Sequence, residues 1–503
     1  MIKFLLKALC ASCCALSPAL SWAAEISSII TLPVGIGFTD NADLKPEGQA
    51  ESDFFWRISP GLSLQAKGPR WNGALSYAYQ YEKHQKDERR SDNQFLSARF
   101  DSEVIDNLFY LDANASISQV RSNFSDPVGF DSQNADDVFS WRIMPAINRQ
   151  FANSSRGGAG VDVYGVKGSG DNTGNDGYGE RVYATYSTGG LMDAARFDLS
   201  ANDDRYYYDN PRVNAIRDYT LNQSMSARAT LLVSRKFTPF ALYGYENIED
   251  ETLRRQPSET FWNAGFSWIP SVRTRLDASF GKRFFGDTRN ISFTHRARRT
   301  NWLLSYVQDL RTGESDVQNP FSVGMFNQLN TALAQQFPDA ATRASVVRSV
   351  MDGMGLPPTS ILVTRNYIDR NLTANVSYAA VKSVFMLNLY ARDSDASEVS
   401  LPVPPSLSAQ GLGDRIKQAG ASVNWNYRLG TKVGLSTMIG FNRESYPDVD
   451  VEDDNFFTRL GADYQIGRHL SARSELRRIQ RESTDATREY VENSVLLSLI
   501  GSF

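Results

Sequence analysis

The chain has 503 residues, 41% of them hydrophobic, and a formal net charge of −4. This mild acidity argues against a nucleic-acid partner, and we expect none. No stretch after residue 23 approaches the 18 consecutive apolar residues that a membrane-spanning helix needs.

The first 23 residues have the pattern of a secretory signal peptide. Lys3 and Lys7 supply the positive start, Leu5–Leu20 is the apolar middle, and Ser21-Trp22-Ala23 is a small-x-small cleavage site. Cleavage after Ala24 is the alternative. A lipoprotein is disfavoured, because neither Cys13 nor Cys14 follows a good lipobox. The three cysteines all lie in this segment, so we expect the mature domain, 24–503, to have no thiol, disulfide or cysteine-bound metal.

From residue 30 onward, apolar residues recur at every second position and alternate with polar or small ones. A strand with lipid on one side and a wet lumen on the other needs this period of two. Pro33 fits poorly in the first such strand, unless that strand lies at a closure seam or a bulge. The clearest segments, in chain order, contain the apolar sets Ile30–Phe38, Trp56–Leu64, Trp71–Tyr81, Phe109–Ile117, Phe139–Ile143, Trp262–Trp268, Leu372–Tyr378, Val423–Tyr427 and Leu435–Phe441.

Short and long connections alternate between these strands. The short ones are 66–70, 234–237, 270–273, 379–382, 429–432 and 467–469. The long polar ones are 82–92, 119–137, 167–180, 203–217, 248–258, 393–413, 444–453 and 480–489. Outer-membrane barrels have short periplasmic turns and long outer loops, so we expect both termini to be periplasmic.

The last strand, YVENSVLLSLIGSF, places its apolar register on the terminal Phe503. We predict that Phe503 acts as an assembly signal for the barrel assembly machinery. The sequence as a whole predicts an all-β fold, a transmembrane antiparallel β-barrel of about 22 strands, with 20–24 within the error of strand boundaries.

One connection, at about 311–360, differs from the others. It contains two helical patterns of apolar residues, one through Phe326 and Phe337 and the other through Val346 and Met354. A partly helical outer loop that packs on the rim is the simpler hypothesis, and a plug over the pore is the alternative.

If the apolar positions face lipid, a set of charged residues faces the lumen. An Arg or Lys facing lipid near the midplane would cost about 2–4 kcal/mol. The side chains either form ion pairs that fill the lumen or line a path for solutes. The predicted lumen-lining residues are Arg99, Asp101, Asp112, Asp198, Arg228, Asp277, Arg459, Asp463, Arg473 and Glu475.

Catalytic and metal-binding patterns are weak. His84, His295 and His469 have no spacing or acidic partner that suggests a metal site or a triad, so we predict no enzyme, metal or cofactor. The acidic run 448–454 is interpreted as a solvated loop, with calcium as the alternative. The basic run Lys83–Arg90 is interpreted as a loop tip, with lipopolysaccharide phosphates as alternative partners.

Two stretches, FWNAGFSWIPS (261–271) and GKRFFGDTRNISFTHRARRTNWLLSYVQDL (281–310), resemble the PEP-CTERM-system-associated, exopolysaccharide-linked outer-membrane β-barrel family. TDNADL near the start fits this resemblance as well. The resemblance implies a role in moving or anchoring exopolysaccharide at the outer membrane, and it brings no catalytic residues with it.

The expected function is a passive conduit or accessory protein for exopolysaccharide secretion. The alternatives are a general diffusion porin and a structural or assembly factor of the cell surface. The expected partners are outer-membrane lipid and lipopolysaccharide, the barrel assembly machinery, exopolysaccharide and a periplasmic polysaccharide-export protein.

Overall fold

The computed structural model describes residues 25–86, 90–121, 135–151, 154–169, 176–189, 194–209, 219–311, 366–401 and 414–503. The predicted signal peptide and nearly all of 311–360 therefore lie outside the described residues. Within these ranges, no helix has the length and hydropathy needed to cross a bilayer. The strands are β1 (Glu25–Thr39), β2 (Asp53–Ile58), β3 (Gly61–Lys67), β4 (Trp71–His84), β5 (Arg90–Ile105), β6 (Phe109–Arg121), β7 (Ala135–Gln150), β8 (Arg156–Gly168), β9 (Gly177–Ser187), β10 (Ala195–Tyr208), β11 (Tyr219–Leu231), β12 (Phe237–Glu249), β13 (Ser258–Ser271), β14 (Thr274–Arg283), β15 (Gly286–Arg296), β16 (Thr300–Arg311), β17 (Tyr367–Ala379), β18 (Ser383–Asp395), β19 (Arg415–Leu429), β20 (Val433–Tyr446), β21 (Val451–Gln465), β22 (Leu470–Ser483) and β23 (Tyr490–Ser502).

These strands form one antiparallel sheet that closes on itself, because β1 pairs with β23 as well as with the next segments along the chain. β2 and β3 are two halves of one wall strand. Both pair with β1 on one side and with β4 on the other. The break between them falls at Ser59-Pro60, since a proline has no N–H for the ladder. The wall is therefore a closed barrel of 22 strands, which confirms the predicted fold class.

Pro33 lies on the closure seam, where the sequence suggested that a proline could be tolerated. It is opposite Ile500 of β23, and its carbonyl accepts a hydrogen bond of 2.9 Å from the backbone N–H of Ser59. Gly37, on the same strand, gives room to a neighbouring side chain. A Cβ at that position would lie 2.2 Å from the ring of Phe55. β1 thus has no inward side chain at 37, next to the buried Phe55 of β2 and Leu496 of β23.

Short and long connections alternate along the chain, and we call the two ends of the barrel the short-turn rim and the long-connection rim. Several long connections are shorter than predicted: 82–92 reduces to 85–89, 444–453 to 447–450, and 480–489 to 484–489. The strands continue beyond the apolar band, where both faces are polar and the alternation that marks a strand is lost. The sequence also did not predict the two-residue hairpin Phe284-Phe285 at the long-connection rim, between β14 and β15.

Next to this short hairpin, two longer connections meet. Leu253, between β12 and β13, forms an isolated β-bridge with Ser400, between β18 and β19. Arg254 donates from its Nε to the carbonyl of Ser400 over 2.8 Å. Ile248, Leu253, Ile368 and Val399 form a buried apolar cluster, with Phe284, Phe285 and Leu310 packed against it. These contacts tie two separated parts of the rim together across the ends of β14–β17.

The outward face of the wall is apolar and has an aromatic girdle near each rim. Trp71 stacks on Phe100 near the short-turn rim, and Tyr81 packs against Trp56 near the other. Trp71 and Tyr81 lie on the same face of β4, ten residues apart. At about 3.3 Å per residue and a strand tilt of about 40°, this separation is about 25 Å along the barrel axis. That height matches the lipid-facing band of outer-membrane barrels.

Candidate functional site: the inner wall of the barrel

Polar and charged side chains occupy the inward positions of the wall, as the alternation requires. On β10, for example, Phe197 and Leu199 are exposed on the outward face, and Asp198 lies between them on the inward face. The same alternation places all ten predicted lumen residues at inward positions of their strands. Whether they contact a passing solute stays a prediction.

Several of these ten residues form ion pairs on the wall strands β21 and β22. The Nε of Arg473 donates to Asp463 over 2.6 Å, across the strand pair. Glu475 accepts from Arg477 at 2.7 Å and lies 4.0 Å from Arg459. Each carboxylate therefore has a guanidinium neighbour, and this part of the wall presents compensated charge.

The other predicted residues are distributed over β5 to β14 and are not brought into one cluster. Asp101 lies 3.6 Å from Arg99 and also accepts from the side chain of Asn72. Asp277 pairs with Arg275, and Asp112 lies opposite Asp101. Asp198 and Arg228 are opposite each other on β10 and β11, but no ion pair joins them among the described contacts.

A second group of inward carboxylates, which the sequence analysis did not single out, lies in the half of the wall toward the long connections. Their side chains are almost fully withdrawn from solvent, with 0–5% of the residue exposed. We call this group the buried acidic belt: Glu82, Asp162, Glu246, Asp369, Glu444 and Asp453. Inward side chains of a wide, water-filled barrel border on water. The belt carboxylates are therefore withdrawn from the water of the lumen.

Arginines neutralise much of this belt. Arg142 donates from its Nε to Asp162 over 2.7 Å. On the next strands, the Nε of Arg181 donates to Asp204 over 2.8 Å, and the hydroxyl of Tyr164 donates to the same carboxylate over 2.6 Å. These side chains come from β7, β8, β9 and β10, so the network joins four neighbouring strands on their inner face.

Arg283 bridges two carboxylates from different strands. It donates from its Nε to Glu246 over 3.0 Å and from Nη1 to Asp309 over 2.8 Å. Its guanidinium also lies over the ring of Phe285, 5.3 Å from the ring centre. The contacts link β12, β14 and β16 just below the short hairpin of the long-connection rim.

Arg392 forms a comparable bridge on β17 and β18. It donates from its Nε to Asp369 over 2.7 Å and from Nη2 to the hydroxyl of Tyr367 over 2.9 Å. All three side chains are buried. Asp453 of β21 contacts both Arg481 and Arg488, and the second of these lies in the connection to β23.

The belt escaped the sequence analysis for two reasons. Glu82, Glu444 and Asp453 fall within runs that were assigned to long connections, whereas the structure continues the strands through them. Asp162, Glu246 and Asp369 lie within strands, but nothing local marks them as buried. Extending the inward register of each strand past its last outward apolar residue would have found Glu82, Glu246, Asp369, Glu444 and Asp453, whereas Asp162 lies between Val161 and Val163.

The three histidines contact different partners on different strands and turns. The Nε2 of His84 lies 3.2 Å from Glu82, and its Nδ1 lies 3.5 Å from Asp53. The expectation that no acidic residue lies near a histidine is therefore wrong for His84. His295 contacts the hydroxyl of Thr274, and His469 contacts the carbonyl of Ser502. Within the part of the chain that the structure describes, no group of three His, Cys, Asp or Glu side chains could hold a metal ion.

The acidic run near the β20–β21 connection is occupied by protein partners. Asp454 pairs with Arg443 at 2.6 Å, and Asp448 accepts hydrogen bonds from the backbone N–H groups of Asp414 and Arg415. The interpretation of the run as a solvated loop is wrong for 451–454, which begin β21 and include the buried Asp453, whereas 448–450 lie in the connection. The protein partners of Asp448 and Asp454 argue against the calcium alternative. Part of the basic run, 87–89, lies outside the described residues.

Residues 413–503, which contain strands β19 to β23, match the family model described as "Putative beta-barrel porin 2". A search of curated proteins gives no match. The closed wall, its outward apolar band and this match identify the chain as a bacterial outer-membrane β-barrel.

Solved outer-membrane barrels are similar in outline at low sequence identity. The FrpB iron transporter of Neisseria meningitidis is 9% identical, over 94% of this chain and 81% of that chain, with a TM-score of 0.47. The siderophore receptor PirA of Pseudomonas aeruginosa is 8% identical, over 94% and 80%, with a TM-score of 0.43. An anion-selective porin of Comamonas acidovorans is 8% identical, over 96% and 100%, with a TM-score of 0.35. These similarities concern the barrel and assign no cargo.

Proposed function

We propose that this protein is a passive conduit for hydrophilic solutes across the outer membrane. The observation that carries the proposal is the inner wall, where charges of both signs face the lumen on strands from β2 round to β22. Paired charges keep such a wall hydrated, and they do not create a single strong binding site for a solute. Conduction requires contacts that are favourable enough for entry and weak enough for release.

The two halves of the lumen have different tasks in this proposal. The half toward the short turns carries exposed and half-buried polar side chains, such as Arg99 and Arg473. The half toward the long connections carries the buried acidic belt, whose ion pairs link neighbouring strands of the wall. The protein itself supplies no energy, so a gradient or an export partner must drive transport.

The cargo that we propose is exopolysaccharide, delivered by a periplasmic polysaccharide-export protein. The sequence resemblance of 261–271 and 281–310 is what favours it. The chemistry of the wall is compatible, because carboxylates, guanidinium groups and amides all hydrogen-bond to sugar hydroxyls. We also propose that the short-turn rim and both termini face the periplasm and that the long connections face outward.

A general diffusion porin is the second candidate, and the match of 413–503 to a porin family favours it. Deleting the gene separates the two functions. Loss or periplasmic trapping of exopolysaccharide, with unchanged uptake of small sugars, supports the export conduit. Normal exopolysaccharide with reduced sugar uptake supports the porin. If neither exopolysaccharide nor sugar uptake changes, the result supports a structural role at the cell surface.

A further inference from the structure

A groove opens in the inner wall near the short-turn rim, across strands β6 to β12. Its volume is about 880 Å³. The floor of the groove is β8, whose start reads RGGAG (156–160). Gly158 and Gly160 occupy inward positions, where a Cβ would lie 2.2 Å from the side-chain oxygen of Asn148 and 2.5 Å from the hydroxyl of Tyr183, respectively. β8 therefore has no inward side chain at 158 and 160, and Gly158 forms part of the groove lining.

Two arginines of the groove have no carboxylate partner. Arg156 lies at the start of β8, opposite Gln150, and Arg228 lies on β11. Neither makes an ion pair or a side-chain hydrogen bond with any residue in the described ranges, and the Nε of Arg228 is buried without an acceptor. The inward arginines 142, 181, 283, 392 and 473 all pair with carboxylates. The groove is thus a local exception on a wall of compensated charge.

The one carboxylate in the groove is already occupied. Asp198 accepts hydrogen bonds from the hydroxyl of Ser187 at 2.6 Å and from the Nε of Arg196 at 3.1 Å. Among the described contacts, it makes no hydrogen bond or ion pair with Arg228, which stands opposite it across the β10–β11 pair. Arg149 also borders the groove, but it shares the outward face of β7 with the exposed Ile147, so its charge is not counted. Arg156 and Arg228 together outnumber Asp198. The net charge of the groove is positive.

Arg228 is held in place from the other side. Its guanidinium carbon lies 3.7 Å from the centre of the Phe240 ring. A guanidinium that stacks on a ring keeps its N–H groups in its own plane, where they remain available to an anion. The groove also contains uncharged groups that hydrogen-bond to hydroxyls: the amides of Asn148 and Gln150 on β7, and the paired hydroxyls of Ser200 and Ser226 on β10 and β11.

We propose that this groove binds the carboxylate-bearing units of an acidic oligosaccharide. Arg156 on β8 and Arg228 on β11 lie in one row, three strand spacings or about 14 Å apart, so each would hold the carboxylate of a different sugar unit. The amides and serine hydroxyls would bind the sugar hydroxyls. The inference rests on the proposed conduit function and deepens it, because it gives the lumen a recognition site near one mouth for a defined class of cargo. A neutral sugar of equal length would lack the charge-assisted hydrogen bonds, which are the strong ones in such a site.

The direct test is binding of trigalacturonate and of the neutral trisaccharide maltotriose to the refolded barrel in detergent, measured by titration calorimetry. The expected result is that trigalacturonate binds and maltotriose binds at least about tenfold more weakly. The double variant Arg156→Gln/Arg228→Gln should lose this preference. Gly158→Leu, which fills the groove and leaves both arginines in place, should weaken trigalacturonate as well.

Arg275→Gln is the matched control, because Arg275 faces the lumen near the same rim but does not line the groove. It should leave the affinity for trigalacturonate unchanged, and heat-modifiable migration verifies that each variant is folded. Equal binding of the two sugars, or unchanged affinity in the folded double variant, would overturn the proposal. Because the titration needs no transport, its outcome is independent of whether the barrel conducts.

Discussion

Phe503 and Ile30 exchange two backbone hydrogen bonds of 2.9 Å, one in each direction. This residue pair is the last of the seam between β23 and β1. The ring of Phe503 also stacks on His469 in the β21–β22 turn, with the ring planes 5° apart. The terminal residue therefore connects three strands at the short-turn rim.

Deletion of Phe503 should reduce the amount of folded barrel in the outer membrane. It removes both hydrogen bonds to Ile30 and the ring that packs on His469, and so weakens the closure that removes the sheet edges. The measurement is heat-modifiable migration of the protein from isolated outer membranes. Phe280→Ala, which removes an exposed outward ring far from the seam, should have a much smaller effect. Equal folding of the deletion and the intact chain would refute the role of Phe503 in assembly.

The inside–outside register of the wall can be tested at adjacent residues. Met225 is 65% exposed on the outward face of β11, and Ser224 faces the lumen, where it donates to Asn202. Met225→Arg should destabilise the barrel in lipid vesicles by about 2–4 kcal/mol, because the new charge meets the hydrocarbon. Ser224→Arg should cost clearly less. Urea unfolding in vesicles gives both values, and the opposite ranking would show that the register is inverted.

The buried acidic belt predicts which arginines of one strand matter for stability. Arg283 and Arg275 both face inward on β14, but Arg283 pairs with the buried Glu246, whereas the side chains of Arg275 and Asp277 are 58% and 36% exposed. Arg283→Gln should cost about 3–5 kcal/mol, since it leaves a buried carboxylate without its partner. Arg275→Gln should cost about 0–1 kcal/mol. Similar urea midpoints for the two variants would contradict the distinction.

The proposed orientation can be tested with single cysteines, because the mature domain is expected to contain none. Val449→Cys lies in the β20–β21 connection, and Val381→Cys lies in the β17–β18 turn, where Val381 is 94% exposed. A membrane-impermeant maleimide should label the first on intact cells and the second only after the outer membrane is opened. The reverse pattern would place the short turns outside.

Asp485 also lies in a long connection, but it is a poor position for a labelling cysteine. It caps the short helix Ala486–Arg488, and the hydrogen bond from the side chain of Thr487 lowers the pKa of its carboxyl group. A change there would disturb Arg488, which contacts the buried Asp453.

The sequence predicted the wall well because lipid imposes the alternation on each strand separately. Within the lipid-facing band, outward positions such as Ile36 and Leu499 favour apolar residues whatever their neighbours are. Two local features were not predicted: the break at Ser59-Pro60 and the two-residue hairpin Phe284-Phe285. Both depend on where neighbouring strands end, and the residue pattern of a single strand does not contain that information.

The ion pairs of the inner wall were harder to predict, because the two residues of each pair are far apart in the chain. Arg57 and Glu82 are 25 residues apart, and Arg488 and Asp453 are 35 apart. Which charges meet depends on the register of pairing across strands, and the sequence alone fixes that only approximately. The groove left a clearer sign, since RGGAG in a barrel strand removes two inward side chains in succession.

The central claim, a passive polar conduit, is tested most directly by the conductance of the purified, refolded barrel in a planar lipid bilayer. The account predicts discrete insertion steps whose conductance rises with salt concentration and does not depend on a nucleotide or other energy source. Folded barrel that inserts without any conductance above that of the lipid alone would contradict it.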